Sequence, residues 1–138
     1  MAKASQVVLL ENEFYLIKAP NGKVLEIKNF NTENGAAIQL WSYAGHPWQQ
    51  WQFVDAGEGR WRIRNRFTGK FIDLALGGVV EGTWLHQWGR TSGLSQCWEL
   101  ESTRNGRTRI RNVLADKYID LVGMNTSNGA QAQIWNYV

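Results

Sequence analysis

The stretch Gly69-Lys70-Phe71-Ile72-Asp73-Leu74 decides the reading, because it returns 47 residues later as Asp116-Lys117-Tyr118-Ile119-Asp120-Leu121. Working outward, the same shift carries Arg62-Ile63-Arg64-Asn65 onto Arg109-Ile110-Arg111-Asn112, and Gln49-Gln50-Trp51 onto Gln96-Cys97-Trp98. Three sets of residues keep the spacing twice over: Trp41, Trp88 and Trp135; Gly35, Gly82 and Gly129; and the acids Glu26, Asp73 and Asp120. Asn31-Thr32-Glu33-Asn34-Gly35-Ala36 comes back two periods on as Asn125-Thr126-Ser127-Asn128-Gly129-Ala130. The register runs without a gap from residue 22 to residue 135. A fixed period of this length is the signature of one supersecondary unit used repeatedly.

A third copy of Gln-x-Trp would fall beyond residue 138, and the N-terminus offers a substitute. Ser5-Gln6-Val7-Val8-Leu9-Leu10 reads like Ser95-Gln96-Cys97-Trp98-Glu99-Leu100. The expectation is therefore a single domain, 1–138, of three repeats at approximately 11–55, 56–102 and 103–138, the third closed by residues 1–10. Such closure would tie both ends into the body.

Each repeat reads as strands. Arg60 to Phe67 alternates polar and apolar, the pattern of a half-buried strand. Lys70–Leu74, Trp84–Trp88 and Cys97–Leu100 supply three more short strands. Four strands in each of three repeats predict twelve, and no stretch carries a capped helical period. Three four-stranded units closing on themselves remove free sheet edges by symmetry. The predicted fold class is all-β, a β-trefoil with pseudo-threefold symmetry. A three-bladed propeller would fit the repeat count but falls below the usual number of blades.

Composition narrows the function. The chain has 138 residues, a formal charge of +3, 43% hydrophobic and 20% charged residues, values of an ordinary folded domain. Its eight Trp must fill a core, form a ligand platform, or both. One Cys leaves no intramolecular disulfide and no Cys-based structural zinc. Neither a cofactor nor a metal is expected. The N-terminal apolar run, Val7 to Leu10, is too short for a signal peptide, so a cytoplasmic location or leaderless secretion is expected. The charge-free stretch Asn34–Val54 carries Gln, Asn, Ser, His and Pro, so no membrane span is expected.

The acid and the Trp of each repeat lie 15 residues apart, as in Asp73 and Trp88, and on neighbouring strands such a pair can flank one shallow pocket. A carboxylate there can accept charge-assisted hydrogen bonds from paired sugar hydroxyls. A Trp face can take the sugar's C–H patch without needing a polar partner. Trp51 and Trp98, inside Gln-x-Trp, read instead as core, with the Gln tying backbone groups, and Cys97 as an inert buried thiol. His46 reads as a loop residue.

These residues resemble the ricin B-chain-like (R-type, Gln-x-Trp) lectins, and in particular the cysteine-poor agglutinins of fungi and bacteria. The resemblance rests on the two Gln-x-Trp triplets, the Ile/Leu-Asp-Leu segments with a Trp 15 residues on, and Asn34-Gly35-Ala36-Ala37-Ile38-Gln39-Leu40-Trp41. It spans essentially the whole chain. It implies a sugar-binding multivalent agglutinin for galactose or N-acetylgalactosamine-type glycans at up to three sites. The implied sites are Asp120, Gln133 and Trp135; Asp73, His86 and Trp88; and Glu26, Gln39 and Trp41, with Asn125 and Asn128 beside the third. The family's Asn before Gln-x-Trp is replaced by Trp48, Ser95 and Ser5. Glu26 is a methylene longer than the family's Asp.

The implied partners are glycans on glycoproteins or glycolipids, with a homo-oligomer possible. Nucleic acid is not an expected partner. Catalysis is not expected, because the acids recur one per repeat, at places too far apart for a working carboxylate pair. Two other readings stand beside this one. A protein-binding trefoil, protease-inhibitor-like, would work through a loop such as 76–82. An acidic-glycan or nucleic-acid binder would use the alternating Arg60, Arg62, Arg64 and Arg66, repeated as Arg107, Arg109 and Arg111. Glu58, Glu99 and Glu101 nearby favour a solvated strand face over that last idea.

Overall fold

Alternating side chains and glycine-containing turns build ten short strands in the computed structural model, which describes residues 9–136. In chain order they are β1 (Val24–Ile27), β2 (Ile38–Trp41), β3 (Trp51–Gly57), β4 (Arg60–Asn65), β5 (Phe71–Leu74), β6 (Leu85–Trp88), β7 (Trp98–Ser102), β8 (Thr108–Asn112), β9 (Lys117–Leu121) and β10 (Ala132–Trp135). The only helical elements among the described residues are single 3-10 turns of three residues.

Twelve strands were expected. One of the two missing strands belongs to the first repeat, where Tyr15 and Lys18 make isolated bridges to Trp51 and Val24 and no continuous strand forms; the other is the N-terminal segment expected to close the third repeat. Residues 1–8, including the proposed Ser5-Gln6-Val7-Val8 closure, lie outside the described residues. β4 ends two residues earlier than its alternation suggests. The Asn65 side chain accepts the backbone N–H groups of Phe67 and Thr68, turning the chain before Phe67. Trp84 falls just outside β6 and bridges to Gln133 in the third repeat.

The strands pair in two ways. Hairpins β3–β4 and β7–β8 join the barrel wall, where Trp61 of β4 pairs with Trp98 of β7. Hairpins β1–β2, β5–β6 and β9–β10 form a triplet capping one end. Three hydrogen bonds link this triplet in rotation: Gly35 N–H to Gln87 C=O (2.8 Å), Gly82 N–H to Ile134 C=O (2.9 Å), and Gly129 N–H to Leu40 C=O (2.8 Å). Each glycine has φ near +90°, a left-handed conformation that a side chain would strain, which accounts for glycine at all three places. The amide of Gln131 reaches one carbonyl from each repeat, Ile38 (3.0 Å), Leu85 (3.4 Å) and Ala132 (2.8 Å). The fold is all-β with the pseudo-threefold arrangement of a trefoil.

The core is a single cluster that draws Leu25, Ile27, Ile38 and Leu40 from the first repeat, Ile63, Ile72, Leu74 and Leu85 from the second, and Ala132 and Ile134 from the third. Trp51 and Trp98 are fully buried within it. Their indole N–H groups are satisfied by Leu25 C=O (3.0 Å) and Ile72 C=O (3.1 Å). Burying a side chain of this size contributes about 4–6 kcal/mol by area, before side-chain entropy is set against it. Cys97 is buried beside Trp98, as its sequence position suggested.

Candidate functional site

Antiparallel pairing sets acid and partner side by side in every repeat. Glu26 faces Gln39, Asp73 faces His86, and Asp120 faces Gln133. Two residues beyond each partner stands the expected platform. Trp41, Trp88 and Trp135 are 41%, 40% and 38% exposed, in contrast to the sealed Trp51 and Trp98. Two indoles of one repeat thus have opposite environments: the one at the hairpin end faces water, and the one after the buried Gln faces the core.

The acid of the first repeat is held from two sides. Gln39 Nε2 donates to one carboxylate oxygen of Glu26 (2.8 Å), and Gln49 Nε2 donates to the other (3.0 Å). Gln49 is itself fully buried. It also donates to Ser42 C=O (2.9 Å) and accepts Ala44 N–H (2.8 Å), so one amide fixes both the acid and the loop after the platform. The second repeat repeats the device: Gln96 donates to Asp73 (3.3 Å) and to Gly89 C=O (2.8 Å), and accepts Thr91 N–H (2.9 Å). The Gln of Gln-x-Trp therefore does more than tie backbone groups. In the third repeat Gln133 donates to Asp120 (3.3 Å).

His86 departs from this pattern. Its Nε2 lies 3.8 Å from Asp73 Oδ2, an electrostatic contact too long for a hydrogen bond, and its ring stacks on Trp88 (5.4 Å, 25°). Burial by itself would raise the Asp73 carboxyl. His86, Ser95, the Leu74 amide and Gln96 together outweigh that and hold it below its ordinary value of 3.8. The carboxylate is thus kept ionised and ready to accept hydroxyl hydrogen bonds.

The two asparagines expected near the third site are engaged elsewhere in the network. Asn125 accepts Ser127 N–H in a local turn (2.9 Å), as Asn31 does with Glu33 (2.9 Å). Asn128 accepts the backbone N–H (2.9 Å) and hydroxyl (3.2 Å) of Ser42, in the loop after Trp41 of the first repeat. Asn34 reaches Gly89 N–H in the same manner (3.0 Å), and Asn136 donates to Glu81. Each repeat thereby braces the loop behind the next repeat's platform.

One feature was not read from the sequence. The first repeat encloses a cleft of about 220 Å³, with Glu26, Gln39 and Gln49 at its floor and Trp41, Phe30 and Trp48 on its walls. Trp48 stacks on His46 (4.2 Å, 12°), tilts against Phe30 (5.1 Å) and meets the edge of Phe67 (5.6 Å). Two of the strand arginines, by contrast, have acidic partners. Arg111 lies among Glu99 (2.9 Å), Glu101 (3.4 Å) and Asp116 (2.9 Å), and Arg60 lies near Glu58 (3.6 Å). Among the described residues no group of three metal-ligating side chains forms, and no helix is long and apolar enough to cross a membrane.

The model of the ricin-type β-trefoil lectin domain-like family matches residues 6–88 and 77–135, and the chain belongs to that family. Among solved structures it is similar to ThreeFoil, a designed threefold symmetric protein, at 29% identity and a TM-score of 0.88, covering 91% of this chain and 90% of that one. It is similar at 27% identity and a TM-score of 0.87 to an exo-β-1,3-galactanase from Clostridium thermocellum, covering 94% of this chain but 29% of the enzyme. A Macrolepiota procera ricin B-like lectin solved with lactose shares the fold at 20% identity and a TM-score of 0.80, covering 96% of this chain and 91% of the lectin. None of the curated proteins matches the chain.

Proposed function

We propose that the chain is a non-catalytic, multivalent lectin that takes galactose or N-acetylgalactosamine-type glycans at up to three sites. One observation carries this reading: in each repeat an acid, with a Gln or His directly across the hairpin, accompanies a platform Trp left about two-fifths exposed. Leaving a large aromatic in water three times over has no role in the core and suits a C–H stacking surface. A sugar with an axial hydroxyl offers one clean C–H face for the indole and a hydroxyl pair for the carboxylate. In support, the Macrolepiota procera lectin was solved with lactose and an earthworm R-type lectin half with N-acetylgalactosamine. Shallow sites of this kind bind at about 4–6 kcal/mol each, and three on one surface add about 10²–10⁴-fold by avidity.

The test is a glycan array at physiological salt, with Trp88→Ala/Trp135→Ala beside the wild type. Binding to terminal galactosides that falls sharply in the double variant, which keeps only the first site, supports the reading. A wild type that binds no neutral glycan overturns it. One observation favours a second reading, a protein-binding surface at segment 76–84. There Leu76 is fully exposed, with Val80 and Trp84 more than half exposed. On that reading Leu76→Ser/Val80→Ser would abolish binding to a protein partner and the platform variants would not.

A further inference from the structure

The repeat breaks most sharply at three aromatic positions that surround one site. Shifting by 47 residues turns Phe30 into Gly77, His46 into Gly93 and Trp48 into Ser95. The first repeat therefore has an aromatic wall opposite its platform that the second lacks. The wall is fixed in place: Trp48 is clamped between His46 and Phe67, and its carbonyl accepts Asn65 Nδ2 (3.0 Å). Phe30 completes it from a left-handed backbone conformation, φ 43°, which a bulky residue adopts only at a cost. Its counterpart in the second repeat is a glycine at φ 64°, which adopts the conformation freely. Phe30 is nonetheless 59% exposed, so burial in the core does not repay that cost.

We infer that the first-repeat cleft is selective for sugars bearing an acetamido group, whose methyl packs on Phe30 and Trp48 while the ring lies against Trp41 and Glu26. This rests on the glycan-binding reading and deepens it. The lining carries one carboxylate, two glutamine amides and no Lys or Arg, with His46 turned face-on to Trp48, which suits a neutral substituent over a sulfate or carboxylate on the sugar. The volume of about 220 Å³ suits one ring with a small substituent. In the second site the place of Trp48 is taken by Ser95, which offers the methyl no apolar surface, so that site treats parent and acetamido sugars alike.

The test is calorimetric titration of methyl galactoside and methyl N-acetylgalactosaminide in a Trp88→Ala/Trp135→Ala background, which isolates the first site. The acetamido sugar is expected to bind at least about fourfold more tightly than its parent, the worth of burying one methyl group. Trp48→Ser or Phe30→Gly, which install the second repeat's residue classes, should each bring the ratio close to one. Phe30 is an exposed turn residue, so its variant keeps the fold if Trp48→Ser does not. A ratio near one before substitution, or a ratio that survives both substitutions, overturns the inference. If neither sugar binds the unsubstituted chain, the lectin reading beneath it fails as well.

Discussion

The first and second repeats share a skeleton and differ in what they hang on it. Both bury a Trp whose indole N–H caps a strand carbonyl, both fix an acid with a buried Gln, and both leave a platform Trp in water. They part company at the rim, where the first carries Phe30, His46 and Trp48 and the second Gly77, Gly93 and Ser95. Folding constrains the positions that face the axis and the core. The rim is under no such constraint, and there the repeats are free to diverge.

The largest effect should come from the shared skeleton. Trp51→Ala and Trp98→Ala should each cost about 3–5 kcal/mol in urea unfolding, and the two costs should agree to within about 1 kcal/mol. Unequal costs would show that the two repeats are not energetically equivalent even at their centre. A smaller effect is expected one layer out. Gln49→Ala leaves Ala44 N–H and both Glu26 and Ser42 acceptors without their partner, and should cost about 2–3 kcal/mol. Gln96→Ala should cost less by thermal unfolding, because its bond to Asp73 is longer, 3.3 Å against 3.0 Å.

The smallest effect is a pH dependence confined to the second repeat. The folded carboxyl of Asp73 lies below its ordinary value of 3.8, so its stabilisation is fully present above about pH 4. It is lost as pH falls through the folded value. Asp73→Asn should flatten that limb of a stability-against-pH curve measured between pH 2 and pH 6, and an unchanged limb would remove Asp73 from the account.

The fold was legible because its constraints repeat. Gly35, Gly82 and Gly129 are spaced by 47 because each must reach the next hairpin in the same left-handed conformation. The placement of each acid beside an exposed Trp was legible for the same reason, since hairpin pairing fixes their separation at 15 residues. The role of the Gln in Gln-x-Trp was hidden because it acts across two hairpins. Its signal was there in a constant separation of 23 residues from the acid, Glu26 to Gln49 and Asp73 to Gln96. The aromatic wall was missed because it lies where the period fails, not where it holds. Phe30, His46 and Trp48 come from two turns of the first repeat, Phe67 of the second braces Trp48, and they meet only in three dimensions. Subtracting one repeat from the next would have found it, since the residues that break the period gather at one rim.

The rotation of hydrogen bonds from Gly35 to Gln87, Gly82 to Ile134 and Gly129 to Leu40 has a consequence for how the molecule comes apart. A linear stack of repeats frays from its outermost members and can lose one binding unit while keeping the rest. Here the last hairpin leans on the first, so there is no outermost member to fray. Damage to one hairpin withdraws a donor from one neighbour and an acceptor from the other. The three hairpins should therefore unfold together in a single cooperative transition, with no state that loses one hairpin and keeps the other two.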